Sequence, residues 1–433
     1  MLRTALTLVL ALVLFGFSSA LFAQERPVAF EGATIYPISS EPIENGTLVV
    51  HEGKILAVGA TGEVSIPSDA ERRDASGFII MPGLVDTHSH IGGGDGGDRT
   101  SPLHPDVRIS DAIDVRSDTF RKARTGGVTV ANVMPGSGHL LSGQTAYLKL
   151  RDANTIYGML IEDENLHDGF AGGIKMANGT NPLRQAPFPG TRARSAALQR
   201  ELFIQAQEYQ QRMADDPSTT RNLRLESIVE ALEGKRIIHF HTHRHDDIMT
   251  VIRLQREFGF RVVLHHVTDA WLVADEIAEA GIPSSIIVLD TPGGKLEAIN
   301  LLYKSGRYLE EAGADVAFHT DDGVTDSRLF FRMAAFAVRD GMSREKALEA
   351  LTLAGARMLD LEDRVGSLEP GKDADFILLT GDPFSVYTHV QQTWIDGVKV
   401  FDRDNPDQLP YATGGHEIYR GDFFDHYSTG GAQ

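Results

Sequence analysis

The sequence predicts an α/β fold, a (β/α)8 (TIM) barrel carrying a small composite β-sandwich domain built from both chain ends. Three observations lead there. Between residues 81 and 360, strand-like apolar runs alternate with helical patterns, the order that parallel strands and crossover helices leave in a sequence. The flanking regions 24–80 and 361–405 hold short strands broken by turns, too few on either side to close a core alone. The chain has 433 residues, enough for a barrel of about 250 residues and an accessory domain.

From the N-terminus, Met1-Leu2-Arg3 is followed by an apolar run from Leu6 to Phe17, then by Ser18-Ser19-Ala20 and Ala23. A basic start, a short apolar stretch and small residues read as a secretory signal peptide over residues 1–23, cut after Ala20 or Ala23. The run is short for an uncleaved membrane span. In the first flank, residues 47–51 form a strand, Glu52-Gly53-Lys54 a turn, and residues 55–58 a second strand. The apolar stretch from Phe78 to Val85 reads as one buried strand ending at His88 and His90.

Within 81–360 the expected strands are 127–133, 171–176, 236–241, 261–265, 285–289 and 315–319. The expected helices lie around 111–124 and at 195–213, 223–232, 246–258, 270–280, 296–312, 329–339 and 344–354. The second flank supplies strands at 375–379 and 393–401, and residues 406–433 form an irregular C-terminal tail. No Gly-x-Gly-x-x-Gly sits at a strand-helix junction and no Walker lysine motif is present, which disfavours nucleotide-binding versions of an α/β fold.

Hydrophobic residues make up 42% and charged residues 23% of the chain, as in soluble globular proteins. A net charge of −19 argues against nucleic acid or an anionic membrane as partner. There is no cysteine, so neither disulfides nor a lipidation cysteine are available. The expected setting is periplasmic or secreted, with a small-molecule substrate, no nucleic acid and no stable membrane association after signal cleavage. A homo-oligomer is left open.

The polar residues gather where a barrel puts its chemistry, at the C-terminal ends of its strands. His88 and His90 end the first strand and face one way, because residues i and i+2 share a side. Lys175 ends a later strand, His239, His241 and His243 the next, His265 and His266 the one after, and His319 and Asp321 the last. His265 and His266 face opposite sides if their strand holds to its end, so only one can enter the barrel. Histidine and carboxylate at the ends of separate strands point to a metallohydrolase, since catalytic zinc sites use these donors and keep a position open for water.

Met81-Pro82-Gly83-Leu84-Val85-Asp86-Thr87-His88-Ser89-His90 resembles the opening signature of the amidohydrolase superfamily of metal-dependent hydrolases. The run from Gly366-Ser367-Leu368-Glu369-Pro370-Gly371 to Lys372-Asp373-Ala374-Asp375-Phe376 resembles the same superfamily's return into its sandwich. Gly173-Ile174-Lys175-Met176-Ala177-Asn178 and Phe318-His319-Thr320-Asp321-Asp322 are similar to stretches of its exported, imidazolonepropionase-related group. The resemblance implies metal ligation by His88, His90, Lys175, His241, His266 and Asp321, with one or two divalent ions and zinc as the metal.

Asp321 is expected to act as general base and acid and His243 to help at the substrate, while Asp322 braces a loop and His265, facing away from His266, packs on a helix. Lys175 is read two ways, as a carboxylated lysine bridging two ions or as a cation that binds a substrate carboxylate or braces the loop after it. Arg184, Arg192, Arg194 and Arg244 are candidate carboxylate anchors. The expected reaction is metal-dependent hydrolysis of a non-peptide C–N bond in a cyclic or linear amide, by hydroxide generated at the metal.

The chain departs from imidazolonepropionase itself after His241, where Thr242-His243-Arg244-His245 stands and acids come only at Asp246 and Asp247. An exported metallo-dipeptidase of the same superfamily and a non-catalytic exported binding protein are the alternatives.

Overall fold

The computed structural model describes residues 25–94, 96–288, 295–415 and 418. The expected signal peptide and most of the expected tail lie outside the described residues. The strands in chain order are β1 (Val28–Ile35), β2 (Ile43–His51), β3 (Lys54–Ala60), β4 (Glu71–Asp74), β5 (Ile79–Pro82), β6 (Leu84–Ser89), β7 (Val128–Val133), β8 (Leu141–Gln144) and β9 (Ala146–Lys149). They continue as β10 (Ile174–Ala177), β11 (Ile238–Thr242), β12 (Val262–His266), β13 (Ser284–Ile286), β14 (Val316–Phe318), β15 (Phe376–Leu379), β16 (Val390–Ile395) and β17 (Val398–Asp402).

The two ends of the chain meet in one sheet, ordered β17-β16-β15-β5-β1-β2-β3, with β4 pairing β1 as well. The junction is β15 against β5, antiparallel, with Phe376 opposite Pro82 and Leu379 opposite Ile79. Alternate apolar residues turn one face inward, where the rings of Phe30, Phe376 and Trp394 lie 5.1 to 5.5 Å apart. Aromatic packing of this kind anchors a small core.

The single strand expected from Phe78 onward divides at Gly83 into β5, which stays in this sheet, and β6, which leaves it. Gly83 lies against the Thr129 side chain, so any Cβ there would collide with it. The strand can change sheets at that point because the residue has no side chain.

A six-stranded sheet runs β14-β13-β12-β11-β10-β8 and a three-stranded sheet β6-β7-β9. From β10 to β14 all neighbours are parallel, as expected from the alternation. The run 141–149 departs from it. β8 is antiparallel to β10 and β9 antiparallel to β7, with Thr145 alone between them. The sequence reading missed this run, because Leu-Ser-Gly-Gln carries no period-2 alternation and Gly143 adopts φ 142°. On the far side, Asp321 N donates to His88 O at 2.9 Å and His90 N to Asp322 O at 3.0 Å, tying the end of β14 to β6.

Helices alternate with these strands. Thr191 caps Arg192–Asp215, Asn222 caps Leu223–Leu232, and Gly259 at φ 77° ends His245–Phe258, as capping chemistry prescribes. Three expected helices are broken, of which the one at 344–354 divides at Thr352 into Arg344–Leu351 and Leu353–Arg357. Residues 270–280 divide into a 3₁₀ turn and Ala274–Glu279, and residues 296–312 contribute a 3₁₀ turn and Ser305–Glu311. Among the described residues no helix is long and apolar enough to cross a membrane.

Candidate active site

β6 brings His88 into the interior, fully buried, and His90 follows it on the same side. The His88 Nε2 lies 3.3 Å from His90 Nε2 and 3.4 Å from Asp321 Oδ1, while His90 Nε2 lies 3.0 Å from that same oxygen. His90 Nδ1 sits 2.7 Å from the Met134 carbonyl oxygen. Donating there leaves the lone pair of Nε2 facing Asp321. Asp321 reaches this point from a left-handed backbone, φ 51°, just past β14.

Lys175 enters from the middle of β10, not from its end. Its Nζ lies 3.0 Å from His88 Nε2, and it is wholly buried. Parallel register sets Lys175 beside His239 and Ala177 beside His241, so His241 stands two residues further toward the strand ends. The rings of His241 and His266 are 4.4 Å apart, and His266 is 4.8 Å from His88. His88, His90, Lys175, His241, His266 and Asp321 therefore come together. His243 joins them, its ring 4.7 Å from His241 and its Nδ1 2.7 Å from Thr268 Oγ1.

His265 is a correction. It does not pack outward on a helix. Its Nε2 is 2.9 Å from His239 Nδ1, and its ring is 4.9 Å from His88 and 5.4 Å from His319. His265 keeps the strand's inward alternation, and His266 enters too because its backbone turns left-handed, φ 70°. The rule that adjacent residues face opposite ways fails where the strand geometry stops.

The electrostatics follow from burial. Removal from water pulls His88, His241, His243, His265 and His266 well below the usual imidazole range, helped by nearby Lys175 or Lys295 and by one another. These rings are neutral at physiological pH, as metal ligands must be. Burial also brings Lys175 down to about 7, partly opposed by Asp321. For Asp321 burial works the other way, but its close contact with His90 and the charge of Lys175 hold it down to about 2.

The donor set fits a divalent cation. Among the described residues His88, His90 and Asp321 can share one, with ligand atoms all within 4.8 Å of one another, and His88, His265 and His319 and also His241, His243 and Glu297 form such groups. Nδ1 of His241 and Nε2 of His243 and His266 are buried without a hydrogen-bond partner among the described residues. Orphaned imidazole nitrogens this deep are costly unless a cation or a substrate group engages them.

Residues 181–401 match the model of the Amidohydrolase family. The chain belongs to that family. A crystal structure of an amidohydrolase from Thermotoga maritima MSB8 is 34% identical, covering 87% of this chain and all of that one, with a TM-score of 0.80. Amidohydrolase tasK of Hapsidospora irregularis is 26% identical over 395 residues, 82% of this chain but 40% of that longer protein. An imidazolonepropionase of Rhizobium rhizogenes is 27% identical over 382 residues, 80% of this chain and 89% of that one.

In this amidohydrolase three of the four candidate anchor arginines are engaged internally. Arg192 pairs with Asp247 at 2.8 Å and reaches Glu297, Arg244 pairs with Asp246 at 2.9 Å, and Arg184 donates to the carbonyls of Gly138 and Asn181. Asp322 braces the turn after Asp321, accepting from Lys122 Nζ at 2.7 Å and from Ser327 N at 2.9 Å. The sequence reading missed Lys295, whose Nζ is 3.5 Å from His241 Nε2 and 2.8 Å from Asn181 Oδ1, and it missed Glu297 beside it. Both lie well past the end of β13, in and beside the 3₁₀ turn Leu296–Ala298 and not at a strand end, so no pattern pointed to them.

Proposed function

We propose that this amidohydrolase hydrolyses a non-peptide carbon–nitrogen bond, in a cyclic or linear amide, at a divalent metal centre held by His88, His90, Lys175, His241, His266 and Asp321. The observation that carries the reading is convergence. Groups distant in sequence meet at His88 Nε2, with Lys175 at 3.0 Å, His90 at 3.3 Å and Asp321 at 3.4 Å. Zinc, one ion or two, supplies a Lewis acid that polarises the substrate carbonyl and acidifies water.

The chain's own groups do the rest. Asp321, ionised at neutral pH, takes the proton of the attacking water and returns it to the leaving nitrogen. His90 Nε2 lies 3.0 Å from that carboxylate, close enough for the two to share one cation. His243, whose Nδ1 accepts from the Thr268 hydroxyl, donates its Nε2 proton to the substrate oxygen. Lys295 adds positive charge at the rim of the cluster. The likeness to an imidazolonepropionase supports a ring amide as the first substrate class to try.

The test pairs elemental analysis of the purified protein with a screen of hydantoin-like and imidazolone-like rings, linear amides and dipeptides. Turnover of a ring or linear amide, lost in Asp321→Asn, is the expected result. A metal-replete enzyme that cleaves dipeptides alone would make it a dipeptidase, and one that cleaves nothing would leave the binding-protein alternative. Mass spectrometry of Lys175 decides between a carboxylated lysine bridging two ions and an amine beside one.

The same reading extends to architecture and address. We propose that β6, β7, the 141–149 run and β10 to β14 close into the (β/α)8 barrel over residues 81–360, its third position antiparallel. The hydrogen bonds between His88, His90 and the Asp321-Asp322 turn support that closure. Residues 24–80 and 361–405 then form the composite domain, a sandwich made by one sheet folding over its aromatic core. Export is proposed from the composition of residues 1–23, and N-terminal sequencing of the protein recovered from the periplasm or medium tests it.

A further inference from the structure

Beneath the proposed metal centre lies a layer of buried polar side chains that the reaction does not use. His319 Nε2 is 3.1 Å from His266 Nδ1, His319 Nδ1 is 2.8 Å from Ser285 Oγ, and Ser285 Oγ is 2.5 Å from Thr87 Oγ1. His319, Ser285 and Thr87 are wholly buried. The His319 ring is also stacked on His88, with centroids 4.9 Å apart and planes 17° from parallel, so it has little freedom to turn.

We infer that His319 is a positioning residue, fixing the tautomer and orientation of His266 through the chain His266–His319–Ser285–Thr87. The inference rests on His266 being a ligand, as proposed above. A neutral imidazole has one N–H and one lone pair. For His266 to present a lone pair at Nε2, its proton must sit on Nδ1 and be donated, and His319 Nε2 is the acceptor at hand. His319 then carries its own proton on Nδ1 and donates to Ser285 Oγ, whose hydroxyl donates to Thr87.

Run in the opposite direction, the same chain would put the His266 proton on Nε2. That would block the ligand position and leave a buried N–H with no acceptor among the described residues. His266 needs this support more than its neighbours do, since it and Val267 both hold left-handed backbones, φ 70° and 39°. His319 is thus a second partner of the kind that orients a ligating histidine. It lies two residues before Asp321 and touches two of the proposed ligands.

The test measures metal, not turnover. Zinc affinity by chelator competition and the visible spectrum of the cobalt-substituted protein are compared for wild type, His319→Leu, His319→Gln and Ser285→Ala. His319→Leu is expected to bind about 10–100-fold more weakly with an altered cobalt spectrum. His319→Gln, whose side-chain oxygen can stand in for Nε2 as acceptor, should recover most of that loss, and Ser285→Ala should show a smaller loss in the same direction. A folded His319→Leu with wild-type affinity and spectrum overturns the inference. Should His319→Leu fail to fold, unchanged affinity in Ser285→Ala overturns it instead. Wild-type protein that takes up no divalent metal would sink the metal centre itself, a separate failure.

Discussion

Asp321, the proposed proton carrier, holds a backbone conformation few non-glycine residues adopt, φ 51°, and what surrounds it explains how it stays there. Its amide donates to His88 O, and Asp322 is locked by a buried ion pair to Lys122. Asp321→Asn removes the proposed proton carrier, and amide turnover is expected to fall by about 10²–10⁴-fold, read from kcat on whichever amide the screen identifies. Lys122→Met leaves Asp322 buried without its partner. Breaking a buried pair costs about 3–5 kcal/mol, to be read as a lower urea midpoint. The sequence made most of the proposed ligand positions legible, because each histidine or acid follows an apolar run. It could not show that both His265 and His266 turn inward, since that depends on the backbone turning left-handed at His266, which strand alternation does not encode.

The elements carry their own constraints. Gly172, at the entrance to β10, presses on the Thr145 carbonyl between β8 and β9. Lys149, at the end of β9, is buried among Asp373 at 2.6 Å, Asp375 at 3.1 Å and Asp396, and so ties the 141–149 run to the sheet built from the chain ends. Burial pushes the Asp375 carboxyl up to about 6, against the pull of Lys149 and with Asp396 and Asp373 adding to it. A carboxyl whose folded pKa lies above its unfolded value of 3.8 holds its proton more tightly when folded. Its stabilising share is full below 3.8 and is lost as pH rises through about 6. Asp375→Asn should flatten that decline, seen as a smaller drop in Tm across the same interval than wild type shows. Phe30→Ala, by opening the aromatic core, should cost about 3–5 kcal/mol, measured by denaturant unfolding.

At the scale of the whole molecule, the interior around the site is polar, with neutral histidines where aliphatic layers would otherwise pack. A cation that binds only the folded chain stabilises it, by about 2.7 kcal/mol at a hundred times its Kd. Chelation is therefore expected to lower Tm, and zinc to restore it, in a calorimetric titration. A Tm indifferent to chelator in protein shown to carry metal would contradict that. By itself the sequence determined the alternation of strand and helix, the pairing of the two ends and most of the residues that meet at the centre. Those features are periodic or sit at strand ends, and hydrophobic period and residue type encode them locally. The tertiary structure alone decided that 141–149 runs antiparallel, that the first long strand changes sheets at Gly83, and that Lys295 and His265 face the cluster. Each of these depends on which backbone lies alongside, a long-range relation that no local pattern of residues records.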